Sequence, residues 1–287
     1  MSDDEKTSPR GGLLARIMRN RPTKPGEIYG VPGGGDSTLI SLATGAVLLG
    51  LWILATSLGW IRPLFLPSPY MVADEFYKIA VDGFANNTLW QHILISALRV
   101  FGALALACMI AIPVGLAMGM NRIMRGVFDP PIEFYRPVPP LAYLPLMIVW
   151  FGIGELSKVL LIFLAIFAPV AIGTRSGVKS AAIEQVHAAY SLGANRWQVL
   201  AQVILPAAAP EIITAVRIGM GVGWTTLVAA EMVAATKGVG FMVLTASEFL
   251  QTDTVIVGII IIAAIAYAFD LGMRWLENKI VPWKGKM

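Results

Sequence analysis

The chain has 287 residues, of which 56% are hydrophobic and only 14% charged, and its mean hydropathy is +0.70. A soluble domain carries about 25% charged residues, so the composition excludes water as the main solvent. The net charge of +4 lies in polar connections between apolar runs; it signals orientation and contact with anionic membrane lipid, and no nucleic-acid partner is implied.

Taken in chain order, residues 1–37 read as a polar, Gly- and Pro-rich tail ending in Gly33, Gly34 and Gly35, with Leu13 to Met18 as a short surface helix. Roughly thirty-five polar residues before the first apolar run do not fit a cleaved secretory signal. Residues 38–61 hold the first span, through the uncharged run Leu39 to Trp60; a bilayer core of about 30 Å needs roughly 20 apolar helical residues. Residues 62–92 form an outer segment in which Met71, Val72, Phe76, Ile79 and Ala80 share one face of a helix lying at the membrane surface.

Residues 93–276 read as a five-helix core, with spans at Val100 to Met120, Pro137 to Gly154, Val159 to Thr174, Pro206 to Ala230 and Thr254 to Phe269. Cys108, the single cysteine, lies inside the second span and reads as packing. Pro137, Pro139, Pro140 and Pro145 interrupt the third span, and such breaks line protein or a cavity rather than lipid. Gly219, Gly221 and Gly223 in the fifth permit close packing or a conduit. Residues 277–287 close the chain as a short polar tail. The expected fold is an all-α membrane protein with six transmembrane helices.

The cations test that count. Lys6, Arg10, Arg16, Arg19, Arg21, Lys24, Arg122, Arg125, Arg136, Arg175, Lys179, Arg196, Arg274, Lys279, Lys284 and Lys286 fall on one side, against Arg62, Lys78, Lys158 and Lys237 on the other. A division of about sixteen to four is what six spans with both termini in the cytoplasm give, and moving the count by one helix would scramble it.

The connection from Ile183 to Pro210 is patterned as helix, break, helix, and residues 183–206 are its coupling region. His187-Ala188-Ala189-Tyr190-Ser191-Leu192-Gly193 is followed by nine residues and then Val203-Ile204-Leu205-Pro206. Ala188, Ala189 and Leu192 give a short helix, Gly193 ends it, and Pro206 suits the first turn of the next helix. The result is a compact cytoplasmic knob.

This pattern resembles the EAA motif of bacterial binding-protein-dependent ABC importers: Glu-Ala-Ala, three residues, Gly, nine residues, Ile, one residue, Leu-Pro. Ala188, Ala189, Gly193, Leu205 and Pro206 match; His187 replaces the acid and Val203 the isoleucine. Over most of residues 45 to 285 the chain is similar to permeases of the taurine, sulfonate, nitrate and bicarbonate branch, nearest to the taurine permeases. The stretches are Arg136-Pro-Val-Pro-Pro-Leu-Ala-Tyr-Leu-Pro-Leu, Trp150-Phe-Gly-Ile-Gly-Glu, Ala168-Pro-Val-Ala and Gly221-Val-Gly-Trp-Thr-Thr-Leu-Val-Ala-Ala-Glu.

The resemblance implies a type I ABC importer permease core in the bacterial inner membrane. Two copies would pair around a central path, with two ATP-binding subunits that carry the ATP and Mg, and a periplasmic substrate-binding protein that delivers a small anionic or zwitterionic solute. The solute would be taurine or a related small sulfonate, with nitrate, bicarbonate or a vitamin precursor as alternatives. Coupling to the ATPase would fall to His187, Ala188, Ala189, Leu192, Gly193, Ala194, Leu205 and Pro206.

The remaining candidates line a hypothetical path. Arg217 inside the fifth span, where an unpaired charge costs roughly 3 kcal/mol, either attracts an anion or snorkels to the inner headgroups, the second being favoured. Arg99 near the outer face snorkels or, as second choice, contacts an anion. Glu231, about 21 Å from Arg217 along a helix, is an anchor for the outer loop or a gate residue for an ammonium group. Trp224, Thr225 and Thr226 offer an aromatic wall and hydroxyls, or ordinary packing.

The chain is expected to bind no cofactor by its own motifs: G-x-x-x-x-G-K-[ST] is absent, and His92 and His187 stand on opposite predicted sides of the membrane, which excludes a histidine metal pair within one chain. A membrane-embedded enzyme would need acids, bases or ligands gathered at one depth. An ion-gradient-driven secondary transporter would need paired intramembrane carboxylates or inverted repeats, and would leave the knob unexplained.

Overall fold

The computed structural model describes residues 38–281. The tail of residues 1–37, with the helix expected at Leu13 to Met18, and residues 282–287 lie outside the described residues. The chain divides into two units, Met1–Pro69 and Tyr70–Met287.

In the first unit, α1 (Thr38–Ser57) is a 20-residue apolar helix whose side chains, such as Leu48 and Leu51, are exposed. The chain after it turns back, and the Trp52 indole N–H donates to the Pro67 carbonyl at 3.1 Å.

The second unit begins with α2 (Pro69–Asp82), whose first residue is a proline that suits a first helical position. A helix stands where one was expected, but its buried stripe is Val72 and Ile79, while Met71 and Phe76 stay exposed. Glu75 on the same side accepts a hydrogen bond from Thr254 at 2.9 Å, which fixes α2 to the start of the last helix.

α3 (Leu89–Met120) has 32 residues and begins well before the expected Val100. Its start is set by a capping box: the Gln91 N–H donates to Thr88 Oγ1 at 3.3 Å, and the Thr88 N–H donates to Gln91 Oε1 at 3.0 Å. α4 (Arg122–Tyr135) occupies what the sequence left as a connection, with Asn121 Oδ1 accepting from the Ile123 N–H at 2.8 Å. Its Asp129 pairs with Arg175.

The third expected span contains less regular helix than its apolar run suggests. It is α5 (Pro140–Phe151), a helix of 12 residues, shorter than the roughly 20 needed to cross a bilayer core. Pro137, Pro139 and Pro140 prevent an earlier start, and Gly152 at φ 78° ends it. Among the described residues, five helices are long and apolar enough to cross, with α5 and α10 as shorter apolar helices.

α6 (Glu155–Val178) is the centre of the unit, packed along α3 on one side and α9 on the other. After it come α7 (Ile183–Ser191), α8 (Arg196–Val199), a π-helical turn at Leu200–Ile204, α9 (Leu205–Ala234), α10 (Val239–Glu248) and α11 (Thr252–Ile280). Ala103, Ala107 and Ala111 of α3, all fully buried, stand one helical turn apart and let α6 approach closely. A β-carbon on Gly115, next in that row, would lie 2.5 Å from the Ala171 carbonyl of α6. On the other side, β-carbons on Gly219 and Gly223 would meet Ile166 at 3.2 and 2.8 Å, whereas Gly221 meets nothing within 4 Å. Two of the three glycines therefore serve packing. With lipid as the alternative solvent, that close van der Waals fit holds the bundle together.

Candidate functional site

The knob follows α6 and precedes α9. Gly193 takes φ +84° after α7, donates its N–H to the Tyr190 carbonyl at 3.0 Å, and lets the Ala194 N–H reach the Ala189 carbonyl at 3.0 Å. This pair of bonds is a Schellman cap, and it needs a residue without a β-carbon at the turn. Asn195 then starts α8, with its side chain accepting from the Gln198 N–H at 2.9 Å and Gln198 returning to the Asn195 N–H at 2.8 Å.

No residue of α7 is buried. Ile183, Tyr190, Trp197 and above all Leu192, 88% exposed, leave apolar surface uncovered, and His187 and Ala188 are exposed beside them. The six expected coupling residues from His187 to Ala194 are thus gathered on one protrusion. Leu205 and Pro206 are not on it. They sit where the π-helical turn ends, with the Leu205 N–H bonded to the Leu200 carbonyl. Pro206 has no N–H to give and its ring would clash with the carbonyl four residues back; the wider turn accommodates it without interrupting the helix.

At the opposite end of α6 lies a buried polar network that the sequence did not predict. Arg99 of α3 is 4% exposed and forks onto Glu155, with Nε and Nη2 each 2.6 Å from a carboxylate oxygen. Its Nη1 donates to Glu231 Oε1 and to the Lys237 carbonyl, both at 2.7 Å. Glu231 of α9 is fully buried and also accepts from Ser96 at 2.7 Å and from the Gly240 N–H at 2.8 Å. Lys158 adds a 3.0 Å bond to Glu155. His92 completes the network: with the proton on Nε2 it donates to the Phe84 carbonyl at 3.1 Å, and Nδ1 accepts from the Gly238 N–H at 3.1 Å. Gly238, at φ +131°, has no room for a β-carbon, which would lie 2.5 Å from the Glu231 carboxylate oxygens.

These contacts correct the reading of Arg99 as a snorkelling cation or an anion contact. Two carboxylates and a carbonyl occupy its N–H groups, even though it borders a cleft of ≈ 420 Å³ with Leu98 and Lys237. Glu231 is buried and held by Ser96 and Arg99 of α3 and by the Gly240 N–H of α10, the arrangement expected of an anchor.

Arg217 is also paired: its Nη2 lies 2.8 Å from Asp270 and its Nη1 3.4 Å from Glu277, both on α11, partners that the sequence reading did not include. Trp224 is buried edge-on against Phe101 at 6.2 Å, and Thr225 and Thr226 each return their hydroxyl to the Val222 carbonyl at 2.8 Å. The six expected path residues are therefore spread over two ion networks and a packing contact instead of forming one site.

The model of the family described as "Binding-protein-dependent transport system inner membrane component" matches residues 109–282. The chain belongs to that family. It is 56% identical over 249 residues to the taurine transport system permease protein TauC of Escherichia coli (strain K12), covering 86% of this chain and 90% of TauC. It is 36% identical over 236 residues to the aliphatic sulfonates transport permease protein SsuC of the same organism, covering 82% and 88%. The solved structure of the MetNI methionine ABC transporter in an inward-facing conformation superposes with a TM-score of 0.59 at 15% identity, covering 67% of this chain and 95% of that one.

The protein is thus a multi-pass permease of the inner membrane, an importer subunit with the type I permease fold. The matched region runs from within α3 through the knob to the end of α11. Arg99, Ser96 and His92 precede it, so the permease anchors its family core at Glu231 with residues contributed from outside that core. Their signal in the sequence was energetic: Glu155, Glu231, Asp129 and Asp270 border or interrupt apolar runs, and an acid there requires a partner.

Proposed function

We propose that this permease forms the path by which taurine or a related small sulfonate enters the cell, driven by ATP hydrolysis on a separate subunit. The observation that carries the solute is the 56% identity to a taurine transport permease across 86% of the chain, against 36% to an aliphatic sulfonates permease. Two copies pair around the path, two ATP-binding subunits hold the ATP and Mg, and a binding protein delivers the solute from outside. Both termini and the knob face the cytoplasm, with α5 and the non-helical residues on either side of it making the sixth crossing, a placement supported by the division of Lys and Arg along the chain.

The knob is the coupling element. Its uncovered Leu192, Tyr190 and Trp197 supply the apolar contact expected of a partner surface, and the Schellman cap at Gly193 keeps the protrusion rigid enough to transmit a push. His187 stands where the motif has an acid, so the contact with the ATPase there is not anionic.

The test is reconstitution of the permease with its ATPase and binding protein in liposomes, with labelled taurine outside. Entry that requires ATP and the binding protein, and that taurine itself blocks better than alkanesulfonates, nitrate or bicarbonate, is the expected result. Entry driven by an ion gradient without ATP would place the chain among secondary transporters instead.

A further inference from the structure

A second cleft, of ≈ 360 Å³, opens between the end of α4, the later half of α6 and the first turns of α9. Its size is in the range of small-molecule pockets, about 300–1,000 Å³. Pro169 and Gly173 of α6 and Ala215 of α9 line it with little side-chain bulk, and a β-carbon on Gly173 would lie 3.4 Å from the Ala215 Cα. Two charged side chains of opposite sign, Arg136 and Glu211, line the same cleft together with Thr214.

These two charges differ from the paired ones on the same helices. On α9, Arg217 is paired with Asp270 and Glu231 with Arg99, while on α6 Arg175 is paired with Asp129. Among the described residues, neither the Arg136 nor the Glu211 side chain has an ion-pair or hydrogen-bond partner. Both side chains are exposed, and both border the cleft, so each charge is open to a solute that enters it. Thr214 donates its hydroxyl to the Pro210 carbonyl at 2.9 Å, which leaves the oxygen free to accept.

We infer that this cleft is a transit site for a small zwitterion, with Arg136 receiving the anionic end and Glu211, assisted by Thr214, receiving the ammonium end. The inference rests on the taurine-class reading above and deepens it, because an alkanesulfonate without an amine would satisfy only Arg136. Opposed unpaired charges across a narrow cleft hold such a solute weakly and let it leave.

The experiment uses the complete transporter in liposomes and reads two quantities, labelled taurine entered per ATP and ATP hydrolysis stimulated by the loaded binding protein. R136Q and E211Q should each lower taurine per ATP about tenfold while stimulated hydrolysis stays within about twofold of wild type. The exchanged pair R136E/E211R, which keeps both poles in reversed order, should recover part of the loss. Wild-type taurine per ATP in both single variants overturns the inference, as does loss of stimulated hydrolysis in all three variants, which would make the pair structural. Absence of taurine entry with the unmodified permease overturns the solute reading and the inference with it, whereas normal entry with unaffected variants overturns the inference alone.

Discussion

Arg99 and Glu231, from α3 and α9, meet at 2.7 Å with side chains only 4% and 1% exposed. The bond closes the end of the bundle away from the knob and leaves neither charge anywhere else to turn. Removing one partner from a buried pair strands the other, at about 3–5 kcal/mol. Arg99→Ala and Glu231→Ala are therefore expected to lower the unfolding free energy of the detergent-solubilised complex by that amount. Glu155→Gln, on the 62% exposed arm of the network, should cost far less. A change below about 1 kcal/mol in Arg99→Ala would show that the network does not hold the helices.

Gly238→Ala meets two obstacles, a φ of +131° and the Glu231 carboxylate in the space of the new methyl group. The first persists whatever stands at position 231; the second does not. Melting temperatures of the two single variants and the double variant with Glu231→Ala should be non-additive, the glycine replacement costing less when the carboxylate is gone.

At the knob, Gly193→Val forces a branched side chain into a left-handed conformation that costs roughly 1–2 kcal/mol. Gly193→Asn tolerates it better. The valine variant should assemble in the membrane yet lose most binding-protein-stimulated ATP hydrolysis, with asparagine in between. Equal stimulation in all three proteins would mean that the cap geometry is irrelevant to coupling.

Arg217 and Asp270 are each about one-third exposed in the structure, 29% and 31%. Screening reduces what their pair contributes, so a double-mutant cycle of Arg217→Ala and Asp270→Ala on stability should give a coupling of about 1 kcal/mol or less. The same cycle on transport should leave taurine selectivity unchanged, because the pair is a brace between α9 and α11.

The long apolar runs and the charge division were enough to place the crossing helices, since both follow from the cost of polar groups in hydrocarbon. The knob was legible for a different reason: Gly193 and Pro206 impose backbone geometry wherever they occur. The length of helix in the third span was not legible from its hydropathy, because its prolines permit only the 12 residues of α5. α4 was hidden by Pro130 and Pro131, which lower helix propensity yet are accommodated in the folded helix. The partners of Arg99 and Arg217 were out of reach because residues 56 and 132 positions from Arg99, and 53 and 60 from Arg217, meet only in three dimensions. The cleft between Arg136 and Glu211 depends on how close α6 and α9 come, which is set by single glycines.

From Arg196 to Val233 the chain runs as one helical rod of 38 residues, about 57 Å at 1.5 Å per residue. The π-helical turn at Leu200–Ile204 puts an additional residue into that rod just before the membrane-crossing part. Each residue of an α-helix advances the azimuth by about 100°, so the turn sets the compass bearing of Trp197 and the rest of the knob relative to the far end of the rod. Tightening it to ordinary α-geometry would rotate the knob about the rod axis while Glu231, at the far end, stayed locked to Arg99.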